Sequence, residues 1–274
     1  MDWRRSPVTS FARFFGFSTF EYFEYSGSGC VQEEIRFMIN PECIVSRLFT
    51  AVMDDNEAVL ISGAQRYSSY EGYARTFTYK GDHTDIQELD EKGHLKSYIV
   101  AIDALNFGLN PWSRITQYTK KNIVRELNKA YIGFHAFQIL GRDEKMPVIS
   151  TGNLGCGVFG GYHDVKAVIQ LMAAAQTGNK LLYFTFEESG LKDSLEELHG
   201  LLKEKRVTVG SLYRTLMEIS SQTLPKQEEK EEEKEDSESS EDPETRQPQL
   251  FNLLIEHYRN VKQKSRSTSP SKKK

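Results

Sequence analysis

The chain has 274 residues, 38% of them hydrophobic and 27% charged, with a formal net charge of −4 and a mean hydropathy of −0.54. That length suits one large domain, or one domain with appendages, and the low hydropathy points to a polar segment that dilutes the average. No apolar run reaches the roughly 18 residues a membrane span requires; three cysteines without CxxC spacing and six scattered histidines exclude a disulfide framework and a zinc site, and favour a reducing compartment.

Residues 1–25 hold nine of the 31 aromatic residues, together with Arg4, Arg5 and Arg13. They lack the aliphatic core and cleavage site of a secretory signal, and Asp2, Glu21 and Glu24 count against a transit peptide. The expectation is an irregular apolar strap over a domain face. In "SGSGCVQEEIRF", residues 26–37, Glu33 and Glu34 stand side by side behind a small glycine cluster. Acids in a first helical turn ordinarily complement the helix dipole. Neighbours on a helix nevertheless diverge by about 100°, so two such acids are able to serve two different atoms.

"NPECIVSRLF" predicts a helix, with Asn40 as its cap, Pro41 at its first position and Ile44, Val45, Leu48 and Phe49 as its buried stripe. "EAVLISG" (57–63) and "SYIVAIDAL" (97–105) read as strands. Ile123, Leu127, Ala130 and Phe134 recur at helical intervals, predicting one long helix over 119–137. "VIST" is a short buried strand, a glycine-dense loop follows, and a helix runs through "VKAVIQLMAAAQ". "KLLYFTF" (180–186) is the strongest strand, and helices are expected at about 190–204 and 208–221. Alternating strands and helices make the class α/β.

From Lys226 to Glu244 the chain holds eleven acids and three lysines, a local charge of −8, so everything outside this run sums to +4. The chain outside this run is therefore mildly basic as a whole, which suits a phosphate-bearing ligand. "LFNLLIEHYRNVKQK" predicts a final helix with Leu250, Leu253, Leu254 and Tyr258 on one face, packing back onto the domain. The expected divisions are an aromatic segment 1–25, a main domain 26–225, an acidic disordered insert 226–248, the helix 249–263 and a basic disordered tail 264–274. That tail reads equally as a nuclear address and as a solubilising segment.

"TGNLGCGVFGG", residues 151–161, lies between a strand and a helix, where bare amides and the helix dipole favour an anion such as a pyrophosphate. It lacks the Gly-Lys-Ser/Thr ending of a P-loop. Gly155, Gly157 and Gly160 satisfy G-x-G-x-x-G, and Glu187 ends the next strand. Only one strand follows before the chain turns helical, so an NAD-binding Rossmann reading fails on topology. Phe159 lies among glycines with little side-chain volume to bury it.

"VQEEIRFMINPECIVSRLFT", "TGNLGCGVFGG" and "YFTF", with "YSSYEGYARTF", "IVAIDAL" and "RELNKAYIGF", together resemble the catalytic domain of the poly(ADP-ribose) glycohydrolases, an elaborated macrodomain, from about Gly29 to Ser221. The resemblance implies a macrodomain-like mixed sheet flanked by helices, and hydrolysis of ribose–ribose bonds without metal or cofactor. Glu34 would be the acid and base, and Glu33 would grip the ribose hydroxyls. Gln32 would lie near the adenine and Tyr73 would close over the ligand. Gly152, Asn153 and the amides around Gly155, Gly157 and Phe159 would hold the diphosphate, with Phe159 packed on the ribose and Phe186 stacked on adenine. The implied partners are poly(ADP-ribose) and the proteins that bear it. No membrane and no sequence-specific nucleic acid is implied, and the implied setting is a monomer of nucleus or cytoplasm in the DNA damage response.

The sequence lacks the Asp-Phe-Ala-Asn segment that such domains carry just before the glutamates, and keeps only Gly27-Ser28-Gly29 of the glycines that follow it. The sheet is therefore expected to be incomplete at its N-terminal side. The alternative to the hydrolase is a catalytically impaired member that only binds ADP-ribose.

Overall fold

The computed structural model describes residues 29–30, 32–108, 110–139, 148–186, 188–224 and 249–261. The aromatic segment 1–25, the acidic insert and the basic tail from residue 264 lie outside the described residues. The chain divides between Glu187 and Glu188 into two compact units.

The first unit opens with α1 (Gln32–Ile39) and a 3-10 helix (Pro41–Leu48). Four strands follow: β1 (Val59–Ser62), β2 (Ser68–Glu71), β3 (Thr78–Asp82) and β4 (Tyr98–Ala101). Then come α2 (Pro111–Ile115), a short 3-10 turn (Thr116–Tyr118), the long α3 (Lys120–Ile139), β5 (Val148–Thr151), α4 (His163–Thr177) and β6 (Lys180–Tyr183). β1 runs antiparallel to β4, with Leu60 opposite Val100, and β2 antiparallel to β3. β5 and β6 are parallel, with Ile149 opposite Leu181, and α4 is their crossover. Parallel neighbours need such a crossover, and α4 buries ten of its fifteen residues, among them Val168, Met172 and Ala173. All four residues of β4 are buried, as a strand covered on both faces must be. α3 packs along α4 and contributes Ile123, Ala130 and Phe134 to the core. The class is α/β.

The stretch after α1 departs from expectation. Pro41–Leu48 winds as a 3-10 helix, and its buried residues are Cys43 and Ser46. Ile44, Val45, Leu48 and Phe49 are exposed, Leu48 by 83%. The reason is the winding. At three residues per turn, positions i and i+3 share a face, so 43 and 46 turn inward while an i, i+4 stripe spreads around the axis. Asn40 makes no side-chain cap; its Oδ1 instead accepts from Arg36 at 2.7 Å. Two strands end earlier than their hydrophobicity suggests, β4 at Ala101 and β6 at Tyr183. β2 and β3 are additional: "SSYE" is half-buried except at Glu71 and "TYKGD" is exposed except at Gly81, so neither shows an alternation to mark it.

The second unit contains α5 (Ser189–Glu204), α6 (Val209–Thr223) and α7 (Leu250–Asn260). α7 packs on α5 and α6, with the Tyr258 hydroxyl donating to Thr215 at 3.2 Å and Arg259 paired with Glu197. Its buried face is Leu250, Phe251, Leu254, Ile255 and Tyr258, whereas Leu253 is exposed. Among the described residues no helix is long and apolar enough to cross a membrane, and no three His, Cys, Asp or Glu side chains gather as metal ligands would.

Candidate functional site

The start of α1 is pinned by a close backbone approach. Cys30 bridges to Ala74, whose amide donates to the Cys30 carbonyl at 2.8 Å. Gly29, at φ +82°, lies so close that a Cβ there would stand 2.4 Å from the Ala74 carbonyl carbon. Only glycine fits such a position. The approach brings Tyr73, next to Ala74, to the first turn of α1, which begins Gln32-Glu33-Glu34. Tyr73 is itself held in a tight turn: its amide donates to Thr76 Oγ1 at 3.0 Å, and that hydroxyl donates back to the Tyr73 carbonyl at 2.8 Å.

Burial pushes the Glu33 carboxyl up to about 7, its own backbone hydrogen bond opposes this, and the Glu34 charge adds to the rise. The Tyr73 phenol is also raised, first by desolvation and then by the charges of Glu33 and Glu34, with a hydrogen bond from the Gln32 backbone pulling the other way. Glu34 Oε2 is buried and, among the described residues, makes no hydrogen bond. Gln32, Glu33, Glu34 and Tyr73 therefore form one group.

The remaining six residues singled out in the sequence form a second group, at the ends of β5 and β6. Gly152 lies against the edge of the Phe186 ring, where a Cβ would come within 2.7 Å of it and within 2.8 Å of the Phe184 carbonyl. Phe186 is 63% exposed and sits at φ +51°, a left-handed conformation that a bulky side chain rarely adopts. Asn153 Oδ1 accepts from the Tyr183 hydroxyl at 3.0 Å. The loop then folds on itself, Cys156 donating to Asn153, Gly160 to Gly157 and Gly161 to Gly155. Its outer contacts hold the Phe159 and Gly160 carbonyls, through the Phe107 amide and Arg114 Nε, both at 2.9 Å. Tyr162 donates to Gln117.

Among the described residues, the loop amides of Gly155, Gly157, Val158 and Phe159 donate to no protein acceptor. Backbone donors gathered in this way, just ahead of a helix N-terminus, form a nest for an anion. The two groups stand on different elements, and none of the hydrogen bonds described joins one group to the other.

A family model described as poly(ADP-ribose) glycohydrolase, macro domain fold, matches residues 20–193. The chain belongs to the poly(ADP-ribose) glycohydrolase family. It is 34% identical over 232 residues to "Probable poly(ADP-ribose) glycohydrolase 2" of Arabidopsis thaliana, covering 72% of this chain and 43% of that protein. It is 34% identical over 263 residues to "Poly(ADP-ribose) glycohydrolase 1" of the same plant, covering 73% and 47%. To "Poly(ADP-ribose) glycohydrolase 2" of Caenorhabditis elegans it is 36% identical over 200 residues, covering 70% and 40%. The chain spans a little under half the length of these curated relatives.

Several residues that support the glycohydrolase-like loop were not singled out in the sequence. Tyr183 orients Asn153, and Gln170 donates to the Gly152 carbonyl at 3.0 Å while accepting from Thr151 Oγ1 at 2.6 Å. A signal existed for Gln170: an amide inside the apolar run "AVIQLM", 2% exposed, must have partners.

Proposed function

We propose that this domain hydrolyses the ribose–ribose O-glycosidic bonds of poly(ADP-ribose), releasing ADP-ribose. The observation that carries the reading is the carboxyl pair at the start of α1, one member of which is pushed up to about 7 beside a tyrosine. Glycoside hydrolysis needs one carboxyl to give a proton to the leaving oxygen and later to take one from water. We assign that role to Glu34, with Glu33 on the ribose hydroxyls and Gln32 by the adenine. The diphosphate lies on Gly152, Asn153 and the unbonded amides of Gly155, Gly157 and Phe159. Phe159 and Phe186 pack on ribose and adenine, and Tyr73 covers the ligand. Its substrates are poly(ADP-ribosyl)ated proteins of nucleus or cytoplasm.

The deciding experiment compares ADP-ribose release from purified polymer by the wild type and by Glu34→Gln. Release by the wild type alone is expected. ADP-ribose binding without release from either would leave a domain that reads the ligand and does not cleave it.

One observation favours a second allocation within the pair. Glu33 is the carboxyl pushed up to about 7, the range a general acid needs at neutral pH. In that case Glu33→Gln abolishes turnover outright, while Glu34→Gln retains a residue of activity whose alkaline limb moves to lower pH. The shift follows because the Glu34 charge that raises Glu33 is then gone.

A further inference from the structure

Behind the glycine loop lies a cluster of buried charge that the proposed chemistry does not use. Lys166, in the first turn of α4, is 2% exposed, and its Nζ pairs with Glu126 on α3, itself 7% exposed. Glu126 Oε1 accepts from the Leu105 amide at 2.9 Å and from Arg125 at 2.7 Å. Arg125 in turn pairs with Asp103, and Lys129 stands 2.7 Å from the same carboxylate. A buried ion pair of this kind is a weak source of stability, because apolar side chains of similar volume would fill the space at least as well. Its significance lies in what stands at its two ends.

At one end is the chain leaving β4. Leu105 is tied to Glu126, and two residues on the Phe107 amide holds the Phe159 carbonyl. At the other end is the floor of the glycine loop. A Cβ at Gly161 would stand 2.9 Å from Lys166 Cε, and one at Gly155 would stand 3.5 Å from Nζ. Gly155 and Gly161 are also the residues whose mutual hydrogen bond, at 2.9 Å, closes the loop. The lysine stem fills the space beneath that closure, and Glu126 fixes where the stem ends.

We propose that Lys166, anchored on Glu126, is a positioning residue that holds the glycine loop in the shape in which its free amides meet a diphosphate. The proposal rests on the reading that this loop binds the diphosphate of ADP-ribose. Lysine suits the task because its apolar stem packs against glycine while its ammonium is fixed by a carboxylate. The strut adds no net charge, so it acts through the geometry of the loop.

The test uses the full chain as wild type, Lys166→Met and the double variant Glu126→Gln/Lys166→Met. The double variant leaves no lone buried carboxylate and guards against a Lys166→Met chain that fails to fold. Amide hydrogen exchange over residues 153–161 and calorimetric binding of ADP-ribose are measured on each. Faster exchange confined to the loop is expected in both variants, with α6 and α7 unchanged, together with ADP-ribose binding about tenfold weaker. In turnover, KM rises by about that factor and kcat falls less than roughly threefold, because the glutamates stand on α1. A double variant with wild-type loop protection and wild-type affinity would overturn the positioning role and leave the pair as packing. A wild type that binds no ADP-ribose would instead remove the underlying reading, and the positioning role with it.

Discussion

Burial and the Glu34 charge hold the Glu33 carboxyl at about 7, which makes the stability of the fold depend on pH in a window that follows from linkage. In the unfolded chain the same group titrates near ~4.3. Between those values the native state keeps a proton that the unfolded state has lost. The stabilisation is therefore fully present below the unfolded value and is lost as pH rises through 7. At pH 8 the fold carries a buried carboxylate that opposes it by about 3–4 kcal/mol. Glu33→Gln has nearly the same shape and cannot ionise. It should match the wild type at pH 4 and exceed it by that amount at pH 8, as thermal unfolding across the range will read. Parallel curves for the two proteins would contradict the shift. Tyr183 offers a second residue-scale test, because its hydroxyl donates to Asn153 at 3.0 Å. Tyr183→Phe removes one neutral hydrogen bond, about 1 kcal/mol, and should weaken ADP-ribose binding severalfold while the fold stays intact. Unaltered affinity would detach Asn153 from the ligand.

Among the elements, the long α3 and the strand–loop–helix of β5 and α4 were legible in the sequence because their signals are local. A twenty-residue helix repeats its apolar spacing several times, and five glycines within eleven residues between two apolar runs break both the strand and the helix pattern, so they mark a loop. The glutamate pair stands out in the sequence for a different reason, its place in a longer run of residues that resemble the family. The 3-10 helix does not. An i, i+4 spacing predicts which residues are buried only if the backbone winds at 3.6 residues per turn, and no residue in "PECIVSRL" announces the tighter winding. Nor does a sequence show which side chain ends beneath a loop, which is why Lys166 escaped. The winding makes a prediction opposite to that of the α-helical pattern. Cys43 packs with Ala64, Ile99 and Ala101, so Cys43→Ser places a hydroxyl in that core and should cost about 1–3 kcal/mol. Leu48→Ser, at an exposed site, should stay within about 0.5 kcal/mol of wild type. Chemical denaturation of the two variants ranks them, and the reverse order would restore the α-helical stripe.

At the scale of the whole molecule the charge is unevenly divided. Residues 226–244 carry −8 of a chain whose total is −4. Poly(ADP-ribose), the proposed substrate, bears a diphosphate in every unit, so the acidic run would act against its approach while the five basic residues of 264–274 would act for it. Both effects are long-ranged and are screened beyond about 8 Å at physiological ionic strength. Removing residues 226–244 changes the net charge from −4 to +4 without altering any residue of the proposed site. The shortened chain should therefore bind the polymer faster at low salt, with the gain in association rate shrinking towards nothing as salt is raised to about 1 M. The dissociation rate, set by contacts within the site, should change little. Stopped-flow binding of labelled polymer over a salt series separates the two rates. An association rate that ignores the deletion at low salt would mean that the acidic run does not shape the field met by the substrate, and that its role lies with another partner.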